Sequence, residues 1–293
     1  MRTLVSALEP RLMLYAFTLT NGTLRLTGDP TSQNLDVILS GANIQATLTE
    51  GNTQIAQQQW TSASVTSMLI FLGAGDDRLT MSNAIKQPAA IGGDLGNDTL
   101  TAGGGNDSIG GGVGNDIMDG QGGADSMFGN GGNDTIDYSR RTANLIVDIE
   151  DVSVRDGEVG ENDDLYVDIR IILGGSGNDL IRGTTRSDFV MAGNGNDTVY
   201  GGGDDDAIYG GGGEDLLYGD AGRDKIYGDT SNDRIFGGTG NDTIKGGKGR
   251  DRIYGQDGND KLYDNDNAID IIDGGAGTDG IDRDDEDVVY NIP

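Results

Sequence analysis

A nine-residue repeat runs through most of the chain. Five units stand in tandem over 93–137 and ten over 174–263; one precedes them at 72–80, and two follow a one-residue slip at 265–273 and 274–282. Position six is Asp and position eight is apolar in all eighteen units, and position four is Gly in fourteen. A register held this long predicts a stack of short structural repeats.

Each unit divides into a turn and a strand. Positions one to six are rich in Gly, Asn and Asp, which adopt left-handed backbone conformations at low cost. Positions seven to nine predict a three-residue strand with one side chain pointing inward. Two units would then form one coil of about 18 residues, with neighbouring coils at the strand spacing of about 4.8 Å. The sequence therefore predicts an all-β fold.

Charge follows the repeat closely. The chain has a formal charge of −29; residues 72–293 carry 45 acids and 17 bases, whereas residues 1–71 carry four acids and three bases. Asp carboxylates in stacked coils would repel one another. Burial of one apolar side chain per nine residues also stabilises the fold by less than the conformational entropy that is lost when those residues become ordered. A hard divalent cation with six to eight oxygen ligands would relieve both problems, and Ca²⁺ suits irregular turns better than Mg²⁺. We therefore expect calcium binding to be coupled to folding.

Composition excludes several classes of function. The chain has no His and no Cys, so it offers no imidazole base, thiolate zinc site or disulfide. Its negative charge argues against nucleic acid and anionic membranes as partners, and we expect no membrane insertion. Segments outside the repeats reach about 71 residues at most, which is short for an enzyme domain. We expect a protein without enzymatic activity.

The unit GGTGNDTIK at 237–245 resembles the RTX (haemolysin-type) calcium-binding nonapeptide. The resemblance implies a parallel β-roll in which units i and i+2 share a Ca²⁺ ion held by the position-six carboxylate and turn carbonyls. Under this counting rule about eleven ions bind, and they would reduce the charge of −29 to about −7. The metal ligands implied by the resemblance are Asp98, Asp107, Asp116, Asp125, Asp134, Asp179, Asp197, Asp206, Asp215, Asp224, Asp233, Asp242, Asp251 and Asp260. We expect weaker sites in isolated, degenerate or terminal units, at Asp77, Asp188, Asp270 and Asp279.

Other segments complete the predicted organisation. "SALEPRLML" at 6–14 resembles the LEPR-type N-terminal segment of exported bacterial proteins, so residues 1–13 are assigned a sorting role. Residues 14–71 predict an N-terminal β unit, with a hairpin at Asn21-Gly22. The first repeat block is 72–137 and the second is 174–282; the insert 138–173 predicts two further strands, and 283–293 form a cap or tail.

Position nine of the second block carries an aromatic row. Tyr200, Tyr218, Phe236 and Tyr254 are expected on one sheet, and Tyr209, Tyr227 and Tyr263 on the other. Two interpretations stay open: cross-strand stacking that stiffens the roll, and a platform for glycans or surfaces. The main hypothesis is a calcium-binding structural module outside the bacterial cell or on its surface. The alternatives are an adhesion or matrix protein that uses the aromatic rows or the N-terminal β unit, and a folding accessory of a larger exported enzyme.

Overall fold

A computed structural model describes residues 16–28, 30–150, 156–158, 160–264 and 266–291. The LEPR-like segment at 6–14 lies outside these residues. Within them the only helical element is a single 3-10 turn, Ser62–Ser64. The predicted all-β fold and parallel roll are confirmed.

Six strands belong to the N-terminal β unit and its exit into the roll. They are β1 Ala16–Thr20, β2 Thr23–Thr27, β3 Asn34–Ser40, β4 Asn43–Glu50, β5 Thr53–Thr61 and β6 Ser67–Ala74. Strands β1 and β2 form an antiparallel hairpin around Asn21 and Gly22, both of which have positive φ. Strands β3, β4 and β5 form an antiparallel meander. Every second residue along most of β4 and in the first half of β3 is buried, whereas β5 buries none.

The first repeat block and the insert contribute eleven short strands. The first block holds β7 Arg78–Met81, β8 Ala89–Leu95, β9 Thr99–Thr101, β10 Ser108–Val113, β11 Ile117–Asp119, β12 Ser126–Gly131 and β13 Asp134–Asp137. The insert holds β14 Leu145–Asp148, β15 Gly157–Glu158, β16 Asp164–Leu165 and β17 Ile169–Leu173.

The second block contributes the longest regular run of strands. They are β18 Leu180–Arg182, β19 Phe189–Asn194, β20 Thr198–Gly203, β21 Ala207–Gly212, β22 Leu216–Ala221, β23 Lys225–Thr230, β24 Arg234–Thr239, β25 Thr243–Lys248, β26 Arg252–Asp257, β27 Lys261–Asp264, β28 Ile271–Asp273 and β29 Gly280–Arg283. One more strand, β30 Val288–Tyr290, lies in the segment 283–293 and pairs with β28.

Consecutive units lie on opposite faces of the roll. In the second block odd-numbered strands lie in a fourteen-stranded sheet and even-numbered strands in a nine-stranded sheet. Within each sheet, a strand pairs in parallel with the strand 18 residues further along; Ile208 lies beside Ile226, for example, and Ile226 beside Ile244. The fourteen-stranded sheet continues through both blocks into β3, β4 and β5.

The insert changes the opposite face. Strand β16 ends a seven-stranded sheet that contains the even-numbered strands of the first block, and β14 and β15 begin the nine-stranded sheet of the second. Strand β17 meanwhile joins β13 to β19 in the fourteen-stranded sheet. The two blocks therefore share one uninterrupted face.

Apolar side chains at position eight, supplied alternately by the two faces, fill the inside of the repeat blocks. Position eight is fully buried from Leu79 through Ile272, and Ile281 is partly buried. The strands of the second block are longer than predicted, however, because most continue from position seven through position three of the next unit. Backbone groups at Gly-rich positions two and three join the ladder without needing a side chain, as Gly202 and Gly203 do opposite Asp220 and Ala221.

Candidate metal centre

The position-six Asp residues form two buried rows, one along each edge of the roll. In a typical unit, Oδ1 accepts a hydrogen bond from the backbone N–H of the position-six Asp two units earlier. The N–H of Asp197 donates to Asp215 Oδ1 at 2.8 Å, that of Asp215 to Asp233 at 2.9 Å, and that of Asp233 to Asp251 at 2.7 Å. Each carboxylate is thus fixed in orientation by the neighbouring coil.

The second carboxylate oxygen of most of these residues has no hydrogen-bond partner. Among the described residues this holds for fourteen buried position-six Oδ2 atoms, in Asp98, Asp116, Asp125, Asp134, Asp197, Asp206, Asp215, Asp224, Asp233, Asp242, Asp251, Asp260, Asp270 and Asp279. A buried carboxylate oxygen without a donor or a cation is costly, and folded proteins avoid it. Such a repeated feature indicates a ligand of positive charge.

These oxygens point at backbone carbonyls of the next coil. A Cβ placed on Gly219, at position one, would lie 2.5 Å from Asp224 Oδ2 and 2.5 Å from the carbonyl oxygen of Gly237. At Gly237 the same point lies 2.5 Å from Asp242 Oδ2 and 2.6 Å from the carbonyl oxygen of Gly255. A carboxylate and a carbonyl from successive coils therefore converge on one place, which only Gly leaves open.

Turn geometry requires residues that tolerate positive φ at positions two and four. Gly238 and Gly240 have φ of 115° and 133°, and each α-carbon faces a carbonyl oxygen of the preceding coil, from Asp220 and Gly222. Of the four units that lack Gly at position four, two keep positive φ there, at Asp204 and Ser231, whereas Arg186 and Ala268 do not. Turns in successive coils thus bring further carbonyl oxygens close together.

Electrostatics within the rows favour a counter-charge. Burial, followed by repulsion from neighbouring carboxylates, raises the pKa of Asp206 and of Asp233 to about 8. The same causes raise the pKa of Asp125 to about 8. Raised values of this kind mean that protein atoms alone do not stabilise the charged carboxylates. All the atoms that converge are carboxylate or carbonyl oxygens, and oxygens are the ligands of a hard cation such as Ca²⁺.

Comparison with protein families agrees with this chemistry. The family model described as RTX calcium-binding nonapeptide repeat (4 copies) matches overlapping segments at 93–118, 110–139, 173–208, 182–217, 200–235, 209–244 and 236–263. Residues 93–139 and 173–263 are therefore RTX calcium-binding nonapeptide repeats. RTX repeats bind Ca²⁺ and form β-rolls. No curated protein matches the chain.

Three of the candidate ligands are placed differently from the other RTX units. Asp107 Oδ2 accepts the N–H of Gly103 at 3.1 Å, and Asp179 Oδ2 accepts the N–H of Gly175 at 3.2 Å. At Asp188, Oδ2 accepts the N–H and the hydroxyl of Thr184, and Oδ1 lies 3.3 Å from the Arg170 guanidinium. Each of these three carboxylates is the first of its row, either at the start of the first block or just after the insert. Hydrogen-bond donors of the protein contact its second oxygen there.

Sequence reasoning missed two Asp residues that extend the rows. Asp163, in the insert, accepts the N–H of Asp125 at 3.0 Å on Oδ1 and the Tyr138 hydroxyl at 2.9 Å on Oδ2. Asp287, beyond the last unit, accepts the N–H of Asp270 at 3.1 Å. Neither residue lies in a nonapeptide, so the repeat pattern alone could not identify them.

Asp264 is a further missed residue, and its surroundings are unlike those of the other acids. It follows Gly246 by 18 residues, so it takes the place of a position-one Gly. The residue is 2% exposed, and neither carboxylate oxygen has a hydrogen-bond partner within the described chain. Burial, followed by repulsion from Asp270 and Asp251, raises its pKa to about 9.

Position five supplies a second side-chain ladder outside the candidate sites. The Oδ1 of Asn241 accepts the N–H of Asn259 at 2.7 Å, and Asn259 Oδ1 accepts the N–H of Thr278 at 2.8 Å. This ladder runs in the opposite sense to the Asp ladder, because here the earlier residue accepts. The frequent Asn at position five therefore closes the turn and does not point at the converging oxygens.

Proposed function

We propose that the protein is an extracellular or cell-surface structural module whose two RTX blocks fold when they bind Ca²⁺. The observation that carries this proposal is the set of fourteen buried Oδ2 atoms without a hydrogen-bond partner, arranged in two rows. Ordinary packing and hydrogen bonding leave these groups unsatisfied, and the family to which the repeats belong binds the ion that would satisfy them.

The proposed ligands are the position-six Oδ2 and the turn carbonyls that converge with it. In the unit of Asp224 these are the Asp224 carboxylate and the carbonyl of Gly237 from the next coil. A bound Ca²⁺ supplies the positive charge that offsets the repulsion between stacked carboxylates. The chain orients each carboxylate through its Oδ1 hydrogen bond, which keeps Oδ2 aimed at the same place in every coil. With each ion shared between units i and i+2, we propose about eleven Ca²⁺ sites in the two blocks.

Calcium concentration would decide where the protein folds. Extracellular modules bind Ca²⁺ with Kd values of about 10⁻⁴–10⁻³ M, far above the free calcium of a cell interior. Binding to the folded state alone then stabilises it by mass action once the chain is outside. The described residues include no helix long and apolar enough to cross a membrane. We assign residues 1–13 the export signal in this scheme.

A calcium titration followed by far-UV circular dichroism tests the proposal. The chain in chelator should lack most of its β signal, and adding Ca²⁺ should restore it in a cooperative transition, whereas equal Mg²⁺ should restore much less. Asp257→Asn, which changes an exposed acid, is the control for net charge. A chain that is fully β in chelator and unchanged by calcium would overturn the proposal.

A further inference from the structure

Three buried carboxylates form a cluster near the C-terminal end of the second block. Oxygens of Asp251, Asp264 and Asp270 all lie within 4.8 Å of one another, and the three residues are 1%, 2% and 0% exposed. This is the only group of three such acidic residues that the described part of the chain brings together.

One substitution within the repeat explains the cluster. In the coil before, a Cβ on Gly228 would contact Asp233 Oδ2 and the carbonyl oxygen of Gly246. One coil later, a Cβ on Gly246 would contact Asp251 Oδ2 and, in place of a backbone carbonyl, the Oδ2 of Asp264. Asp264 therefore adds a third carboxylate where neighbouring sites have a neutral carbonyl.

The oxygens of this cluster are unpaired as well as buried. Asp264 uses neither Oδ1 nor Oδ2 in a hydrogen bond to the described protein, and Oδ2 of both Asp251 and Asp270 is also without a partner. The Oδ1 atoms of Asp251 and Asp270 are held by the N–H groups of Asp233 and Asp251, which fixes their orientation. The cluster thus holds four unpaired carboxylate oxygens, and the backbone fixes the orientation of two of its three carboxylates.

We propose that Asp251, Asp264 and Asp270 form a three-carboxylate Ca²⁺ site that binds more tightly than the other repeat sites and fills first. Affinity for Ca²⁺ rises with the number of charged ligands and with the rigidity of the site. The inference rests on the proposed function, since it ranks one site above the others of the same roll. It assigns a specific role to a residue that departs from the repeat.

Calorimetric titration of the full chain with Ca²⁺ tests this ranking. The wild type should show one early, tight binding step, with a Kd about tenfold or more below that of the remaining sites. Asp264→Asn should remove the tight step and leave the later steps in place. Asp264→Gly, which restores the residue of the other units, should convert the site to the affinity of an ordinary repeat. Far-UV circular dichroism at saturating calcium verifies that each variant forms the roll.

Two control variants show whether the tight step belongs to this cluster. Asp285→Asn removes an exposed acid nearby with the same change in net charge, and Asp206→Asn removes a position-six carboxylate from the opposite row. Both should keep the tight step. The inference is overturned if Asp264→Asn and Asp264→Gly titrate like the wild type, or if Asp206→Asn loses the tight step equally. A chain that binds no calcium at all would instead overturn the proposed function.

Discussion

The N-terminal β unit and the second RTX block share one sheet but are stabilised in different ways. Strands β3 and β4 bury alternate apolar side chains, including Leu35, Val37 and Ile44, and their turns contain no buried carboxylate in the part that the structure describes. The second block buries one apolar side chain per unit together with its Asp rows. One hydrogen-bonded sheet can therefore run through both regions although different interactions stabilise them. Apolar packing stabilises the N-terminal unit, and metal coordination by the Asp rows is proposed to stabilise the second block.

One hydrogen bond between the N-terminal β unit and the first repeat unit repeats the Asp ladder of the blocks. The N–H of Gln33 donates to Asp77 Oδ1 at 2.7 Å, just as an Asp N–H does inside the blocks. Gln33 is itself buried, so the first carboxylate of the row is held by the N-terminal β unit before any repeat precedes it. This unit therefore covers the end of the roll and sets the register of the first coil.

Removing calcium should separate the two regions most strongly. In chelator we expect backbone amides of 198–263 to exchange rapidly, because the carboxylate rows are then uncompensated, whereas amides of 34–50 keep more of their protection. Hydrogen exchange followed by mass spectrometry measures both segments in one sample. Equal loss of protection in the two segments would show that the whole chain folds as one calcium-dependent unit.

A matched pair of core truncations should give the next largest effect. Ile235→Ala and Ile44→Ala each remove a fully buried Ile and should cost about 2–5 kcal/mol of stability. Only Ile235→Ala should also raise the calcium concentration at which the second block folds. In that block, calcium binding must offset the free energy lost from the core. Calcium titrations of both variants by circular dichroism check this. A shift of similar size with Ile44→Ala would contradict the distinction between the two regions.

Loss of one ordinary ligand should have a smaller effect than loss of a core residue. Asp233→Asn neutralises a buried position-six carboxylate; if one site is lost, stability should fall by about 1.4 kcal/mol at free calcium ten times Kd. Asp257→Asn, which changes an exposed acid three units later, should leave the unfolding transition in calcium unchanged. The two variants are compared by thermal unfolding at fixed free calcium, and equal midpoints would argue against Asp233 as a ligand.

The sequence predicted the parts of the fold that depend on side chains at fixed spacing. Position eight predicted the buried apolar side chains of the roll, including Ile235 and Ile244, and position six predicted the buried Asp rows. It did not predict the full length of strands such as β20, because the added pairs at Gly202 and Gly203 are made by backbone groups alone. Side-chain patterns carry no signal for such pairs.

Broken register explains the acids that were missed. Asp163 lies 38 residues after Asp125, so the insert separates it from a ladder that elsewhere advances by 18. Asp264 keeps the 18-residue spacing from Gly246, but the one-residue slip at this point leaves it outside the nine-residue units. A search for position-one residues other than Gly would have found it, because a carboxylate there enters the place where oxygens converge.

Stacked aromatic side chains are a further, smaller difference between the second block and the N-terminal β unit. Tyr200, Tyr218, Phe236 and Tyr254 lie on the nine-stranded sheet as predicted, with successive ring centroids 4.8, 4.9 and 4.8 Å apart and planes within 9° of parallel. Tyr209 and Tyr227 stack at 4.6 Å on the fourteen-stranded sheet. The spacing equals that of the strands, so the stacks follow from the parallel register and stabilise it.

Tyr218→Leu should therefore lower the stability of the second block by about 0.5–1.5 kcal/mol, because Tyr218 loses two stacked neighbours while its backbone pairing stays. Tyr290→Leu, at an exposed terminal position, should change the unfolding midpoint less. Thermal unfolding in saturating calcium compares the two variants. If Tyr218→Leu lowers the midpoint no more than Tyr290→Leu does, ring stacking adds no stability beyond the backbone pairing of the strands. The N-terminal β unit should be unaffected by either change, since its packing around Trp60 and Phe17 involves neither stack.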